Sequence, residues 1–259
     1  MIKTHMFEGI KNKRVLITGA SGGIGSCMAK LFAGCGAWVG LHYREESEKK
    51  EVIRILKEIQ KKSGKAEIFQ VDFLDSLARK NLIKSFIKKL GAIDVLINNA
   101  GAAFSYKHFS ELDEKSWDNT FNLNVKAPFY LSGEAFNYMK EHGGGRIINI
   151  SSANVKYGGS ARSFHYCASK AALDNLTVGF AREGAKYNIL VNSIRCGVID
   201  TPMRTKIKGY NEENFKKRIN LIPLKRAGKP IDIARMALFL ASETGNFITG
   251  EIFTVAGGD

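Results

Sequence analysis

Between Lys13 and Gly34 the chain passes from an apolar run through a glycine-rich turn into an amphipathic stretch, and few folds accept that order. Lys13-Arg14-Val15-Leu16-Ile17-Thr18 reads as a short buried strand, and Gly19-Ala20-Ser21-Gly22-Gly23-Ile24-Gly25 follows at once. A helix is expected from about Gly23 to Gly34, with Ile24, Met28, Leu31 and Phe32 on its apolar face. Strand, glycine turn and helix in succession are the setting that a dinucleotide site requires. In such a site Gly19 permits the tight turn, Gly23 lets the backbone approach a pyrophosphate, and Gly25 lets the helix pack on the strand. The helix N-terminus offers the phosphates unpaired N–H groups and the positive end of a dipole. An ordinary glycine turn in an α/β domain reads the same locally, so the remainder of the chain has to decide.

The remainder alternates. Apolar strand candidates are Val15–Thr18, Trp38–Tyr43, Glu67–Val71, Val95–Asn98, Ile147–Ile150, Leu190–Ile194 and Ile252–Val255. Helical stretches are expected near Gly23–Gly34, Glu46–Lys62, Ser76–Lys89, Trp117–His142, Tyr166–Lys186 and Ile231–Ser242. This order implies right-handed crossovers and a mainly parallel, seven-stranded sheet covered on both faces. With no linker or repeat, residues 1–259 read as one doubly wound α/β domain of the Rossmann type. No apolar run reaches the roughly 18–20 residues that span a bilayer. Met1-Ile2-Lys3-Thr4-His5-Met6-Phe7 carries no secretory h-region. Cys27, Cys35, Cys167 and Cys196 have neither metal-ligand spacing nor the density of a disulfide framework, so no metal site is expected and a reducing cytoplasm fits.

In an open sheet of this kind ligands bind beyond the carboxyl ends of the strands, and the chemistry-bearing residues fall there. Tyr166 and Lys170, in Tyr-Cys-Ala-Ser-Lys, stand four apart and share a helix face. A neighbouring ammonium favours the phenolate and would draw the tyrosine toward working pH as a general acid–base. Asn98-Asn99-Ala100-Gly101 ends the fourth strand, where small residues admit a ligand and amides brace neighbouring loops. Ser151 and Ser152 end the fifth. Asn124 lies within a helical run, where its amide would bond locally and bend the helix.

Taken together, Thr18 to Gly25, Asn98 to Gly101, Asn124, Ser152, Tyr166 and Lys170 resemble the short-chain dehydrogenase/reductase family, from about Lys13 to Gly258. The resemblance implies an NAD(P)-dependent oxidoreductase acting on alcohols or carbonyls. It favours Ser152 over Ser151 as the substrate-binding hydroxyl. Tyr166 becomes the general acid–base, Lys170 the residue that lowers its pKa and holds the cofactor ribose, and Asn124 the holder of a water beside Lys170. It further implies that Gly19, Ser21, Gly23, Ile24, Gly25, Asn99, Ala100 and Gly101 line the cofactor. Asp72 would accept from the adenine amino group with Phe73 beside the ring, and Val198 and Thr201 would contact the carboxamide. A lid over the substrate is implied at about 195–229, and a homotetramer pairing the long fourth and fifth helices and the C-terminal segments. Relatives carry Pro-Gly where this chain has Cys196-Gly197, which leaves that loop less restrained.

Cofactor choice is read at the end of the second strand. His42-Tyr43-Arg44 holds no carboxylate for a ribose 2′-hydroxyl, whereas the Arg44 guanidinium suits a 2′-phosphate, with Tyr43 and Ser21 at hand. NADP(H) is therefore expected over NAD(H), although Gly22 stands where many NADP-preferring relatives carry a basic residue. The net charge of +14 concentrates at Arg204–Lys208, Lys216–Arg218 and Lys225–Lys229. A basic lid would attract an anionic or carrier-bound carbonyl substrate, and a solvated lysine-rich surface is the alternative. No recognition motif points to nucleic acid. A 3-oxoacyl-carrier-protein reductase-like enzyme is the leading expectation. A sugar or polyol dehydrogenase, a reductase of a specialised pathway and a non-catalytic NADP-sensing regulator are the alternatives. Asn154, Lys156, Tyr157 and His165 are expected to line the substrate pocket.

Overall fold

In the computed structural model, which describes residues 7–201 and 211–259, seven strands form one parallel sheet. They are β1 (Arg14–Ile17), β2 (Trp38–Tyr43), β3 (Lys65–Gln70), β4 (Val95–Asn98), β5 (Gly145–Ser152), β6 (Ile189–Cys196) and β7 (Ile252–Val255). Their spatial order is β3-β2-β1-β4-β5-β6-β7, so the winding direction reverses between β1 and β4. That reversal opens a crevice at the carboxyl ends of these two strands.

Alternation along the central strands explains why both faces are covered. Val15 and Ile17 of β1 point to one side, together with Val39, Leu41, Ile97 and Ile148. There they pack against α1 (Gly23–Gly34), α2 (Glu46–Lys61) and α8 (Pro230–Ala241) through Met28, Phe32, Ile55 and Leu238. Leu16, Leu96, Ile147 and Val191 point to the other side. They meet Leu82 and Phe86 of α3 (Ser76–Leu90) and Leu131 and Met139 of α5 (Ala127–Glu141). Strands buried on both faces have no polar positions to spare, hence their nearly continuous apolar sequences.

Two expectations on helices need correction. The single helix expected over Trp117–His142 starts earlier and is not uniform. It consists of α4 (Glu114–Phe121), a π-type turn at Asn122–Lys126, and α5. Asp113 caps α4 by accepting from the Ser116 N–H at 2.8 Å, which moves its start three residues upstream of Trp117. A further helix, α7 (Glu212–Leu221), follows α6 (Phe164–Gly184) and lies in the segment expected to be a lid. Its apolar residues are few, so no periodic stripe announces it, and Asn211 caps it through the Glu213 and Asn214 N–H groups. Below it, Val198–Asp200 and Gly228 exchange main-chain hydrogen bonds of 2.8–2.9 Å, which joins the two ends of that segment. The basic cluster Arg204–Lys208 lies outside the described residues.

Candidate active site

The glycine turn is built by close approach. Gly19 takes φ +64°, and Gly25 on the first turn of α1 sits so near it that an added Cβ would lie 2.2 Å from the Gly19 carbonyl oxygen. Only glycine fits at position 25. From β4, the Asn99 side-chain amide donates to the carbonyls of Thr18 and Gly19 at 2.8 and 3.1 Å. Thr18 Oγ1 in turn accepts from the N–H groups of Asn99 and Ala100. Gly22 ends the turn as the N-cap of α1 with no side chain capping the helix and no acidic residue in its first turn. Free N–H groups at an uncapped helix start, beside a glycine cradle, fit the pyrophosphate of a dinucleotide.

Across the crevice, β5 and α6 bring the reactive side chains together. Ser151 and Ser152 point opposite ways, as strand neighbours must. Ser151 Oγ donates to the Lys170 carbonyl at 3.3 Å, while the Ser152 hydroxyl lies toward the Tyr166 phenol and favours its ionised form. Lys170, one turn further along α6, is 3% exposed and donates from Nζ to the Ile150 carbonyl at 2.8 Å. Asn124, in the π-type turn, is fully buried. Rather than bonding locally within its helix, its side chain takes the Ala102 N–H and donates to the Ala102 carbonyl, both at 3.0 Å. It also donates to Ser169 Oγ at 2.9 Å, and Ser169 donates to the Tyr166 carbonyl at 2.7 Å. A side chain added at Gly101 would meet Lys170 Nζ at 2.9 Å and Asn124 Oδ1 at 3.1 Å, so both groups converge over that glycine.

In this structure the Tyr166 phenol is not lowered as its spacing from Lys170 leads one to expect. Burial pushes it above its ordinary value, Cys196, Tyr106 and Cys167 add to this, and Ser152 opposes it. The Lys170 ammonium is 5.9 Å from the Tyr166 ring centroid and is spent on Ile150. Burial lowers Lys170 itself to about 8. Cys196 ends β6 beside this pair, and burial pushes its thiol up to about 12 despite Lys170. Burial raises the Cys167 thiol as well. Neither thiol is activated toward oxidation.

On the adenosine side the expected residues divide. Arg44 is exposed at the rim and pairs with Glu45 at 2.6 Å, while its N–H donates to Glu48. Asp72 is exposed and caps Leu74. Tyr43 turns inward, 3% exposed, and its hydroxyl donates to Gln70, so its ring is core packing and not a rim contact. Phe73 is likewise 3% exposed and stacks under His42 at 4.2 Å, which leaves it little surface for an adenine. Ser21 and Ile24 stand half-buried at the glycine turn. Val198 lines a cavity of about 230 Å³ with Leu224, Arg226 and Ala256, and Thr201 is the last residue described before the chain resumes at 211.

His165 does not join the crevice. It is buried and lines a cavity of about 570 Å³ with Phe109, Trp117 and Phe164, between α4 and α6, which none of Asn124, Ser152, Tyr166 and Lys170 lines. Asn154 and Tyr157 are exposed, and Lys156 donates to the Asp259 carbonyl. The supporting roles of three groups escaped the sequence reading: those of His42, Thr18 and Ser169. The one signal for His42 was a polar ring inside an otherwise apolar strand.

The family model described as Enoyl-(Acyl carrier protein) reductase matches residues 19–259. The 3-oxoacyl-(acyl-carrier-protein) reductase FabG of Thermotoga maritima is 34% identical over 249 residues, which cover 96% of this chain and 98% of that protein. The NAD-dependent glycerol dehydrogenase of Listeria innocua is 36% identical over 250 residues, covering 96% and 94%. A crystal structure of a blue fluorescent protein from a metagenomic library in complex with NADPH superposes with a TM-score of 0.90 at 33% identity, covering 97% of this chain and 99% of that one.

Proposed function

The chain belongs to the short-chain dehydrogenase/reductase family of oxidoreductases acting on CH–OH and carbonyl groups, and we propose that it is an NADP(H)-dependent carbonyl reductase of the 3-oxoacyl-carrier-protein reductase type. The observation that carries this reading is the convergence of Ser152, Tyr166 and the buried Lys170 where β5 ends against α6, with Asn124 and Lys170 meeting over Gly101.

A nicotinamide cofactor, when bound, supplies the hydride. Gly19, Ser21, Gly23, Ile24 and Gly25 with the α1 N-terminus would hold its pyrophosphate. Asn99, Ala100 and Gly101 would border its ribose together with Tyr166 and Lys170. Val198 and Thr201 would contact its carboxamide, and Asp72 would accept from the adenine. Ser152 and Tyr166 donate to the substrate carbonyl oxygen. As negative charge grows there, Tyr166 releases its proton to that oxygen. A phenol whose pKa is raised stays protonated at neutral pH and can donate to the more basic alkoxide that reduction would form. Lys170, lowered to about 8, passes a proton readily near neutrality and restores the phenol through solvent held at Asn124.

Arg44 supports NADP(H). Its partner Glu45 is an exposed neighbour whose hold is weak, so the guanidinium is free to take a 2′-phosphate. That same carboxylate, beside the ribose rim, favours a second reading in which an NAD-linked polyol dehydrogenase uses Glu45 for a 2′-hydroxyl. Among the described residues no helix is long and apolar enough to cross a membrane, and a cytoplasmic enzyme is proposed. Trp117, Phe129, Tyr130 and Phe164 are 41–46% exposed on α4, α5 and α6, which supports the pairing of these helices in a homotetramer. The segment 195–229 is proposed to act as the substrate lid.

Fluorescence titration with NADPH and, separately, NADH tests this assignment. Tight NADPH with weak NADH binding is expected, followed by turnover in a screen of 3-oxoacyl thioesters and small carbonyls. Reversed preference supports the polyol reading, and binding of neither overturns both.

A further inference from the structure

One imidazole ties together the ends of the first three strands in sequence. His42 lies in β2, 2% exposed, with its ring stacked 3° from parallel on Phe73. Its Nδ1 accepts from the Gly19 N–H at 3.0 Å, just beyond β1. Its Nε2 lies 2.9 Å from the Val71 carbonyl, just beyond β3. Its own carbonyl accepts from the Ala20 N–H at 2.7 Å. A carbonyl can only accept, so the ring proton belongs on Nε2, and Nδ1 is left as the acceptor that Gly19 needs. Geometry alone therefore demands a neutral ring in one tautomer. Burial agrees with it, pulling the imidazole down to about 4.

We propose that His42 is a positioning residue for the dinucleotide, its Nδ1 holding Gly19 so that the turn presents the α1 N-terminus to the pyrophosphate. The inference rests on the dinucleotide reading above and deepens it. Gly19 departs from β1 at φ +64°, and its carbonyl is already held by Asn99. The His42 bond secures the other face of the same peptide segment. Because the ring reaches the ends of β1 and β3 at once, it also sets the turn against the segment from which Asp72 emerges, and Arg44 follows two residues along, just beyond β2.

The two halves of the ring can be separated by substitution. Asparagine places Oδ1 near the position of Nδ1 and keeps an acceptor for Gly19 but loses Val71. Glutamine places its amide nitrogen near Nε2 and keeps the donor to Val71 but loses the Gly19 acceptor. NADPH titrations of the full chain as wild type, His42→Asn, His42→Gln and His42→Ala, each with a thermal melt, read the difference. His42→Asn should bind NADPH much as wild type does. His42→Gln and His42→Ala should bind about tenfold more weakly, the cost of one lost buried hydrogen bond. His42→Asn and His42→Gln should melt alike. Equal affinity of the Asn and Gln variants, or affinity that follows the melting temperature alone, would overturn the inference while leaving the dinucleotide reading intact. A wild type that binds neither NADPH nor NADH removes both. Should the variants not fold, the ¹⁵N spectrum of the histidine-labelled wild type decides: a neutral ring protonated on Nε2 is expected, and a proton on Nδ1 overturns the assignment.

Discussion

The ammonium of Lys170 donates to the Ile150 carbonyl at 2.8 Å, bridging α6 to the end of β5. This bond aims the lysine at the strand end, where its ammonium still lies 5.9 Å from the centroid of the Tyr166 ring. It also holds a charge in a place that water scarcely reaches, with a measurable consequence for stability. The folded-state pKa is about 8 against an ordinary 10.5. Between these values the unfolded chain carries more protons than the folded one, so this lysine makes stability rise with pH across that window. Below about 8 its burden on the fold is constant and complete. Urea unfolding at several pH values should show the rise in wild type and its loss in Lys170→Met. Parallel profiles would mean that Lys170 does not titrate there.

Tyr166→Phe removes only the phenolic hydroxyl. Carbonyl turnover should fall by about 10²–10⁴-fold, the usual worth of a positioned acid, with NADPH affinity retained. Steady-state kinetics beside a binding titration make the comparison. Retained turnover would move the proton-donating role to another group.

Arg44→Ala leaves Glu45 without its partner and the rim without its guanidinium. NADPH should bind about tenfold more weakly, as expected for a lost charge-assisted contact, and NADH should change little. An equal effect on both cofactors would assign Arg44 a role outside 2′-phosphate recognition.

Gly25→Ala sets a methyl 2.2 Å from the Gly19 carbonyl oxygen and 2.8 Å from the Asn99 amide. Either the turn or α1 has to move, at a cost of about 1–3 kcal/mol. A lowered melting temperature together with weakened NADPH binding is the expected result. A variant as stable and as tight as wild type would show that the turn is not held by this contact.

Much of the fold is legible in the chain itself. Strands buried on both faces demand runs such as Val95-Leu96-Ile97, and crossover helices between parallel strands demand the alternation that the whole chain displays. The π-type turn at Asn122–Lys126 is less visible, because a bulge of one residue hardly disturbs a helical periodicity. α7 is invisible to periodicity because few of its side chains are apolar, which leaves almost nothing to repeat.

The candidate site divides in the same way. Residue types and spacings point to Tyr166, Lys170 and the glycines, and the resemblance to the family adds Ser152 over Ser151, since each has to stand at a strand end or on a helix to do its chemistry. Which way each side chain points was decided by packing. Tyr43 and Phe73 sit beside Arg44 and Asp72 in sequence, yet their rings are drawn into the interior because burying an aromatic surface is worth more than a place on the rim. Burial likewise sets the charge states of Tyr166 and Lys170 against the expectation from their spacing, because desolvation at this depth outweighs a neighbouring charge 5.9 Å from the ring. Local sequence determined what chemistry the chain carries and on which elements. Only the tertiary structure, through burial and the choice of hydrogen-bond partner, determined which atoms face the crevice and in what protonation state they wait there.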